Sequence, residues 1–273
     1  MKLTQKEIDN IVNYVQTEPR TVQDLANFMS KSWITAEKYI KEIEKENGSI
    51  AMKVFRKGSY GALKIVYYIN KNSSMSDELK GNLNIKIKTG QTKNDFKFLD
   101  IYTHIKEENK KCIVDEYKNY NELYNQTIDS IIIFSGNLSF INELNTLQKL
   151  EELLKRKIVI KILCRVNFGS LKNLEKISEL VIKYPNLIEI KHCYQPLRGL
   201  IIDDRLSIFV DEENKDNYKN GEIDHNIKIF YEIYDKEWNI WLKKIFWDLF
   251  RTSSDYSVAF KELKKIKIKQ TKY

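Results

Sequence analysis

Residues 21–48, TVQDLANFMSKSWITAEKYIKEIEKENG, decide how this chain is read. Thr21 followed by Asp24 is the start signal of a capped helix, and Val22, Leu25, Ala26 and Met29 then fall at i, i+3, i+4 and i+7. Ser30-Lys31-Ser32 interrupts that pattern. A second helix starts near Trp33, carries Ala36, Ile40 and Ile43 on one face, and ends at Asn47-Gly48. Small Ala26 and Ala36 allow the close approach that a helix-turn-helix requires. The other face of the second helix shows Thr35, Lys38, Tyr39, Lys41 and Glu42, side chains able to reach base edges and phosphates.

The flanks extend the pattern. Residues 4–17 read as a first helix with Ile8, Ile11, Val12 and Val15 inward. Two β-prone runs, 50–56 and 63–69, flank Lys57-Gly58-Ser59-Tyr60-Gly61, a hairpin tip with two glycines and a cation. Three helices and a hairpin are the order of a winged helix, and residues 1–70 resemble archaeal and bacterial winged-helix transcription regulators. The expected major-groove set is Ser32, Trp33, Thr35, Lys38 and Tyr39, with Lys41 near phosphate. Arg56, Lys57 and Tyr60 of the wing are expected along the backbone or in the minor groove. The competing reading is a winged helix that binds protein; the net charge of +3 in this segment does not separate the two.

At 273 residues and 42% hydrophobic the chain has core enough for two domains. No apolar run reaches the length of a membrane span, the N-terminus has no signal-peptide core, and three scattered cysteines make neither a disulfide framework nor a zinc pattern. A cytoplasmic protein without membrane contact is expected. The net charge of +8 is uneven: residues 71–94 and the tail 261–273 are basic, and 95–260 is mildly acidic. Basic ends around an acidic middle suit a nucleic-acid-binding head on a domain with another task.

Residues 71–94 are polar with scattered glycines and read as a linker, with an edge strand available at 84–88. Residues 95–110 have Phe98, Ile101, Tyr102 and Ile105 at helical spacing; that helix either pairs with a symmetry mate or packs on its own domain. From 111 onward, strands alternate with helices. Strands are expected at 112–114, 130–134, 158–164, 187–191, 200–202, 206–210 and 227–233, and helices at 119–127, 140–156, 171–184 and 237–250. This is an α/β sandwich with a mostly parallel sheet. No glycine-rich phosphate loop follows a strand, which excludes Rossmann and P-loop readings and leaves no cofactor motif. The expected division is a winged helix at 1–70, a linker and dimerisation helix at 71–110, the α/β domain at 111–260, and a disordered basic tail at 261–273.

The block Pro196-Leu197-Arg198-Gly199-Leu200-Ile201-Ile202-Asp203 resembles the His-x-Lys-x-x-x-x-Asp strand of phospholipase D-like proteins, in which the histidine attacks phosphorus and the lysine holds phosphate oxygens. The flanking element order and the late helix WLKKIFWDLFRTS fit as well. Here proline stands at the histidine position and arginine at the lysine position; only Asp203 is kept. Proline has no nucleophile, so this motif cannot perform covalent catalysis. Joined to the winged helix, the block resembles the archaeal TrmB-type regulators, which pair such a head with a catalytically dead phospholipase D-like domain. The resemblance implies dimerisation and effector sensing by the second domain, and no enzyme activity. The sugar that such regulators bind is not carried over, because the chain ends before the region that binds it.

Ser135 and Asn137 after one strand, Arg165 and Asn167 after the next, and Arg198 share the strand-end edge where α/β sheets bind ligands. They form either an anion pocket or a plain solvated loop. Cys164 in an apolar strand reads as structural, with no metal site. Asp203-Asp204 sits where hairpin turns favour aspartate. The aromatic helix 237–250 reads as core or dimer interface. The sequence thus points to a homodimeric regulator of double-stranded DNA with a small-molecule or anionic effector. Its rivals are a phosphodiesterase whose nucleophile has moved, to His192 for example, and a protein-interaction subunit of the transcription machinery.

Overall fold

The computed structural model describes residues 3–46, 48–57, 62–69, 77–117, 120–217 and 225–270. The head comprises α1 (Gln5–Thr17), β1 (Arg20–Thr21), α2 (Val22–Phe28), α3 (Trp33–Glu46), β2 (Ile50–Lys57) and β3 (Ala62–Tyr68). Thr4 and Thr21 each close a capping box, with Glu7 and Asp24, so two orphan amides are satisfied at each start. Ser30 turns the chain with φ 52, and the Thr35 amide donates to Ser32 Oγ at 3.2 Å to open α3. Gly48, at φ 56, closes α3 by donating to the Ile43 carbonyl at 3.2 Å. Ile8, Ile11, Val15, Leu25, Ala26, Ala36, Ile40 and Ile43 join Ile50 and Val66 in one core. This is the expected winged helix-turn-helix, with β1 completing a three-stranded sheet in the order β1-β3-β2.

Period-2 alternation gives the hairpin a second buried face. Val66 faces the helices, whereas Phe55, Leu63 and Ile65 belong to the core of the following domain. Across that seam Lys53 Nζ donates to Tyr102 Oη at 2.7 Å, and buried Lys110 lies 4.6 Å from the centre of the Tyr102 ring. The head is therefore seated against the second domain rather than tethered to it.

The linker expected at 71–110 is, from 77 onward, part of the second domain. Residues 77–89 form α4 (Asp77–Thr89) and no edge strand, because Leu83 and Ile87, one turn apart, are buried in the core that also takes α9. The long helix expected at 95–110 is a single turn, α5 (Leu99–Tyr102), opened by the buried Asp211 carboxylate, which accepts from the Phe98 and Leu99 amides at 3.0 and 3.2 Å. Phe98, Ile101, Tyr102 and Ile105 are all buried in the chain's own core, so they present no face to a symmetry mate.

The remaining elements are β4 (Lys110–Val114), α6 (Tyr120–Gln126), β5 (Ser130–Phe134), α7 (Thr146–Lys155), β6 (Val159–Cys164), α8 (Leu171–Lys183), β7 (Ile188–His192), β8 (Gly199–Ile202), β9 (Leu206–Glu213), β10 (Ile227–Ile233), α9 (Lys236–Thr252), β11 (Ser254–Asp255) and α10 (Tyr256–Gln270). The sheet runs β11-β7-β6-β5-β8-β9-β10-β4. It is mixed, not mostly parallel: β5–β6 and β6–β7 are parallel, and every other pairing is antiparallel. The short β8–β9 connection admits only a hairpin, and the turn at Asp203 and Asp204, both at positive φ, supplies it. One sheet face is covered by α4, α5 and α9, the other by α6, α7, α8 and α10.

Three further expectations change. The helix expected from 140 begins at Thr146, because Leu138 and Asn145, each at φ 62, break the chain into a short 3-10 turn first. Trp238, Trp241, Phe246 and Phe250 of α9 are buried in the domain's own core, with Trp247 packed against it. The lysine-rich tail expected to be disordered is helical through Gln270, anchored by buried Tyr256 and Phe260.

Candidate nucleic-acid interface and the end of the central strands

On α3 the expected base-reading set divides. Lys38 and Lys41 are exposed, as is Lys45 a turn further on. Tyr39 is only 9% exposed, because it lies one turn from Ala36 and Ile43 on the inward side; it is withdrawn from the groove-facing set. Trp33 is half-buried against the head core under Lys64, whose Nζ is 4.5 Å from the ring centre, so it supports the helix rather than a base contact. Ser32 is exposed and Thr35 half-buried, their hydroxyls bonded to each other at 2.9 Å. Sequence reasoning missed Ile34, an apolar side chain 78% exposed. The signal was present: Ile34, Lys38, Lys41 and Lys45 recur at i, i+4, i+7 and i+11, one stripe along the helix. Burial acts to raise the Glu37 carboxyl, but bonds from Lys41 and Lys64 at 2.7 and 2.8 Å outweigh it and hold it below its ordinary value. Tyr60 lies outside the described residues, as do the side chains of Arg56 and Lys57.

At the other candidate site, the ends of β5 and β6 and the start of β8 bring Ser135, Arg165 and Arg198 together, yet their polar atoms turn inward. Arg198 donates from Nη1 to the carbonyls of Leu197 at 2.6 Å and Gln195 at 3.2 Å. Its guanidinium lies against Gly136, where an added Cβ would come within 2.7 Å of Nε. Burial, with Arg165 adding repulsion, brings the Arg198 pKa down to about 10. Pro196 is buried beneath the end of α4, with Gly90 so close that a Cβ there would lie 2.9 Å from the proline ring. Ser135 Oγ accepts from the Leu138 amide, Asn137 Oδ1 from that of Ser139, and Asn167 Oδ1 from that of Ser170. These three side chains build their own loops. Arg165 Nε and Gln195 Oε1 are buried without partners.

Asp203 is at the opposite end of β8 from Arg198, since Gly199 pairs with Phe134 and Ile202 with Ile131. Its carboxylate accepts from the amides of Ile128, Asp129 and Ser130 at 2.8, 2.8 and 2.9 Å. It ties β8 to the start of β5 and takes no part in a strand-end pocket. His192 Nδ1 accepts the Val166 amide at 3.0 Å, so in the neutral ring Nε2 carries the proton. Neither nitrogen then offers a free lone pair.

No protein-family model and no curated sequence matches the chain. Among solved structures it is similar to TrmBL2, an archaeal chromatin protein, at 15% identity and TM-score 0.41, over 91% of this chain and 94% of that one. It is also similar to NucT from Helicobacter pylori at 17% identity and TM-score 0.37, and to Nuc from Salmonella typhimurium, a phospholipase D family member, at 12% and 0.39. Each of these two covers 54% of this chain and 98% of the other.

A cleft of about 560 Å³ lies where the head meets the second domain, lined by Arg20 and Asp24 on one side and Lys86 and Asp100 on the other. Burial raises the Asp100 carboxyl, with Lys86 offsetting part of the shift. Among the described residues no helix is long and apolar enough to cross a membrane.

Proposed function

We propose that this chain is a DNA-binding transcription regulator of the TrmB type, with α3 in the major groove, the hairpin tip on the backbone, and a second domain that senses an effector and does no chemistry. The observation that carries the reading is the α3 stripe. Lys38, Lys41 and Lys45 stand in solvent on a helix whose other face is fixed in the core, with exposed Ile34 able to meet a thymine methyl. Three cations at helical spacing give the sequence-independent attraction to phosphate, and Ile34, Thr35 and Lys38 near the helix start supply base readout.

A non-catalytic second domain is supported by Pro196 at the nucleophile position and by the engaged Nδ1 of His192. Homodimerisation is part of the proposal, since a two-fold protein matches a palindromic operator. The α9 aromatics are committed to the core, so the interface falls elsewhere.

The test is selection of bound fragments from random duplexes by the full chain. A two-fold symmetric consensus supports both DNA readout and the dimer; no enrichment over input sinks the regulator reading and favours a protein-binding head. Metal-free hydrolysis of a generic phosphodiester, lost in His192→Ala, would restore the enzyme alternative.

A further inference from the structure

A second cavity, of about 350 Å³, lies beneath α6, on the sheet face away from the head. Its floor is the carboxylate of Glu232 on β10, a side chain only 3% exposed. Tyr117 Oη donates to one oxygen at 2.5 Å and Tyr234 Oη to the other at 2.6 Å. Among the described residues the nearest cation, Lys111 Nζ, is 3.9 Å from Oε2, beyond hydrogen-bond reach, and its side chain is 56% exposed. A buried carboxylate is ordinarily matched by a bonded cation. Here two neutral hydroxyls orient it, and each oxygen keeps a second acceptor direction.

The rest of the cavity narrows what fits. Arg205 and Lys111 bring positive charge to the rim. Arg205 lies 3.5 Å from the Asp203 carboxylate and donates to the Gln126 carbonyl at 3.1 Å, with its remaining N–H groups available. Glu122 is a second carboxylate of the lining beside Glu232. Leu123 and Leu206 supply apolar wall. A simple cation would satisfy Glu232 but meet Lys111 and Arg205; a simple anion would do the reverse. A small zwitterion suits both, with its ammonium on the floor and its carboxylate at the rim. The volume is at the lower end of small-molecule sites.

We propose that this cavity binds a small free α-amino acid, its ammonium on Glu232 between Tyr117 and Tyr234, its carboxylate on Arg205 and Lys111, and an aliphatic side chain against Leu123 and Leu206. The proposal deepens the sensing part of the function above and rests on it only for the consequence at DNA. Lys111 adjoins Lys110, which is held at the seam with the head, so a ligand on β4 acts one residue from that seam.

The test is calorimetric titration of the full chain, without DNA, with each of the twenty standard L-amino acids. For any that binds, its N-acetyl derivative and its methyl ester are titrated in parallel. One or a few aliphatic amino acids should bind, with about a tenfold or greater loss on removing either charge. Glu232→Gln should weaken the amino acid by a similar factor. Because Glu232 is buried, exposed Arg205→Ala serves as the second variant: it should weaken the amino acid and leave the methyl ester unchanged. Absence of any binding tighter than roughly 10 mM overturns the proposal, as does an acetylated or esterified form that binds equally well, or unchanged affinity in both variants. With no DNA present, failure here leaves the regulator reading standing, and failure of duplex selection leaves this site standing.

Discussion

The cations of α3 and those at the strand ends are in opposite states. Lys38, Lys41 and Lys45 stand in solvent, and among the described residues only Lys41 is paired, with Glu37. Arg198 donates from Nη1 to two carbonyls of its own chain, and its guanidinium lies against Gly136. Sequence alone ranks the two groups alike, since both place positive side chains where such folds bind anions. What separates them is exposure: the α3 lysines reach solvent, whereas Arg198 is half-buried with Nη1 committed and Arg165 has its Nε buried, so only the first group keeps a surface for a polyanion. The lysine stripe also depends on the seat of the head. The Phe98 ring stacks on Phe209 with centroids 4.2 Å apart, in the core that also takes Phe55, Leu63 and Ile65 of the hairpin. Phe98→Ala should cost about 3–5 kcal/mol of stability, read by chemical denaturation. A loss below about 1 kcal/mol would mean that the seam is not part of the cooperative core.

At the other end of β8 from the strand-end group, Asp203 ties two strands by a device that acid should weaken. Burial works to raise the Asp203 carboxyl, but the amides of Ser130, Asp129 and Ile128 outweigh it and keep the pKa below the ordinary value. Its contribution is therefore complete above the unfolded value of about 3.9 and is lost as pH falls through the lower folded value. Asp203→Ala should cost about 2–3 kcal/mol at neutral pH, discounted because two of the three amides are near solvent. The deficit should shrink as both proteins are titrated below the unfolded pKa of about 3.9, leaving the pH-independent cost of an alanine at positive φ. A deficit constant from neutral to acid would show that the carboxylate charge is not what ties β8 to β5.

The head was legible because its signals are local. The Thr21–Asp24 capping box, an i/i+3/i+4 apolar pattern and a glycine at the end of α3 each act within a few residues, and all appear as read; the box of Thr4 with Glu7 is equally local but was not read. The segment 77–105 was not, because its structure is decided from far away. Leu83 and Ile87 enter the core that α9 also fills, Lys80 and Lys88 of α4 pair with Glu237 and Asp248 of α9, and Asp211 fixes the start of α5 over more than a hundred residues of separation. The strand-end residues were placed correctly along the chain, but spacing says nothing about whether a guanidinium points out or folds back. Glu232 and Tyr117, 115 residues apart, give no local sign of the cavity between them.

The DNA half of the comparison sharpens at one residue. Lys38 is exposed near the middle of the stripe, and Lys38→Ala should lose about 1–3 kcal/mol on the preferred duplex if it reads a base, and less on random sequence. Equal loss on both would reassign Lys38 to phosphate contact. No loss on either would remove α3 from the groove.

The smallest expected effect tests the other half. A lysine or arginine that neutralises a phosphate contributes about 0.9 to the slope of log affinity against log salt. Arg198 has its Nη1 donating to the Gln195 and Leu197 carbonyls, so Arg198→Gln should leave that slope unchanged and shift duplex affinity by no more than about twofold, or ~0.4 kcal/mol. Gly136→Ala makes the same comparison in the opposite direction. Its new methyl would occupy the space now filled by the guanidinium, so the arginine must leave the carbonyls and move outward. If the inward fold is what silences this cation, Gly136→Ala should strengthen weak, non-specific binding to random duplex at low salt, and the double variant with Arg198→Gln should return it to the starting value. A slope already lowered by Arg198→Gln alone would mean that the arginine reaches phosphate in the unmodified protein, and the contrast between the two groups of cations would fall.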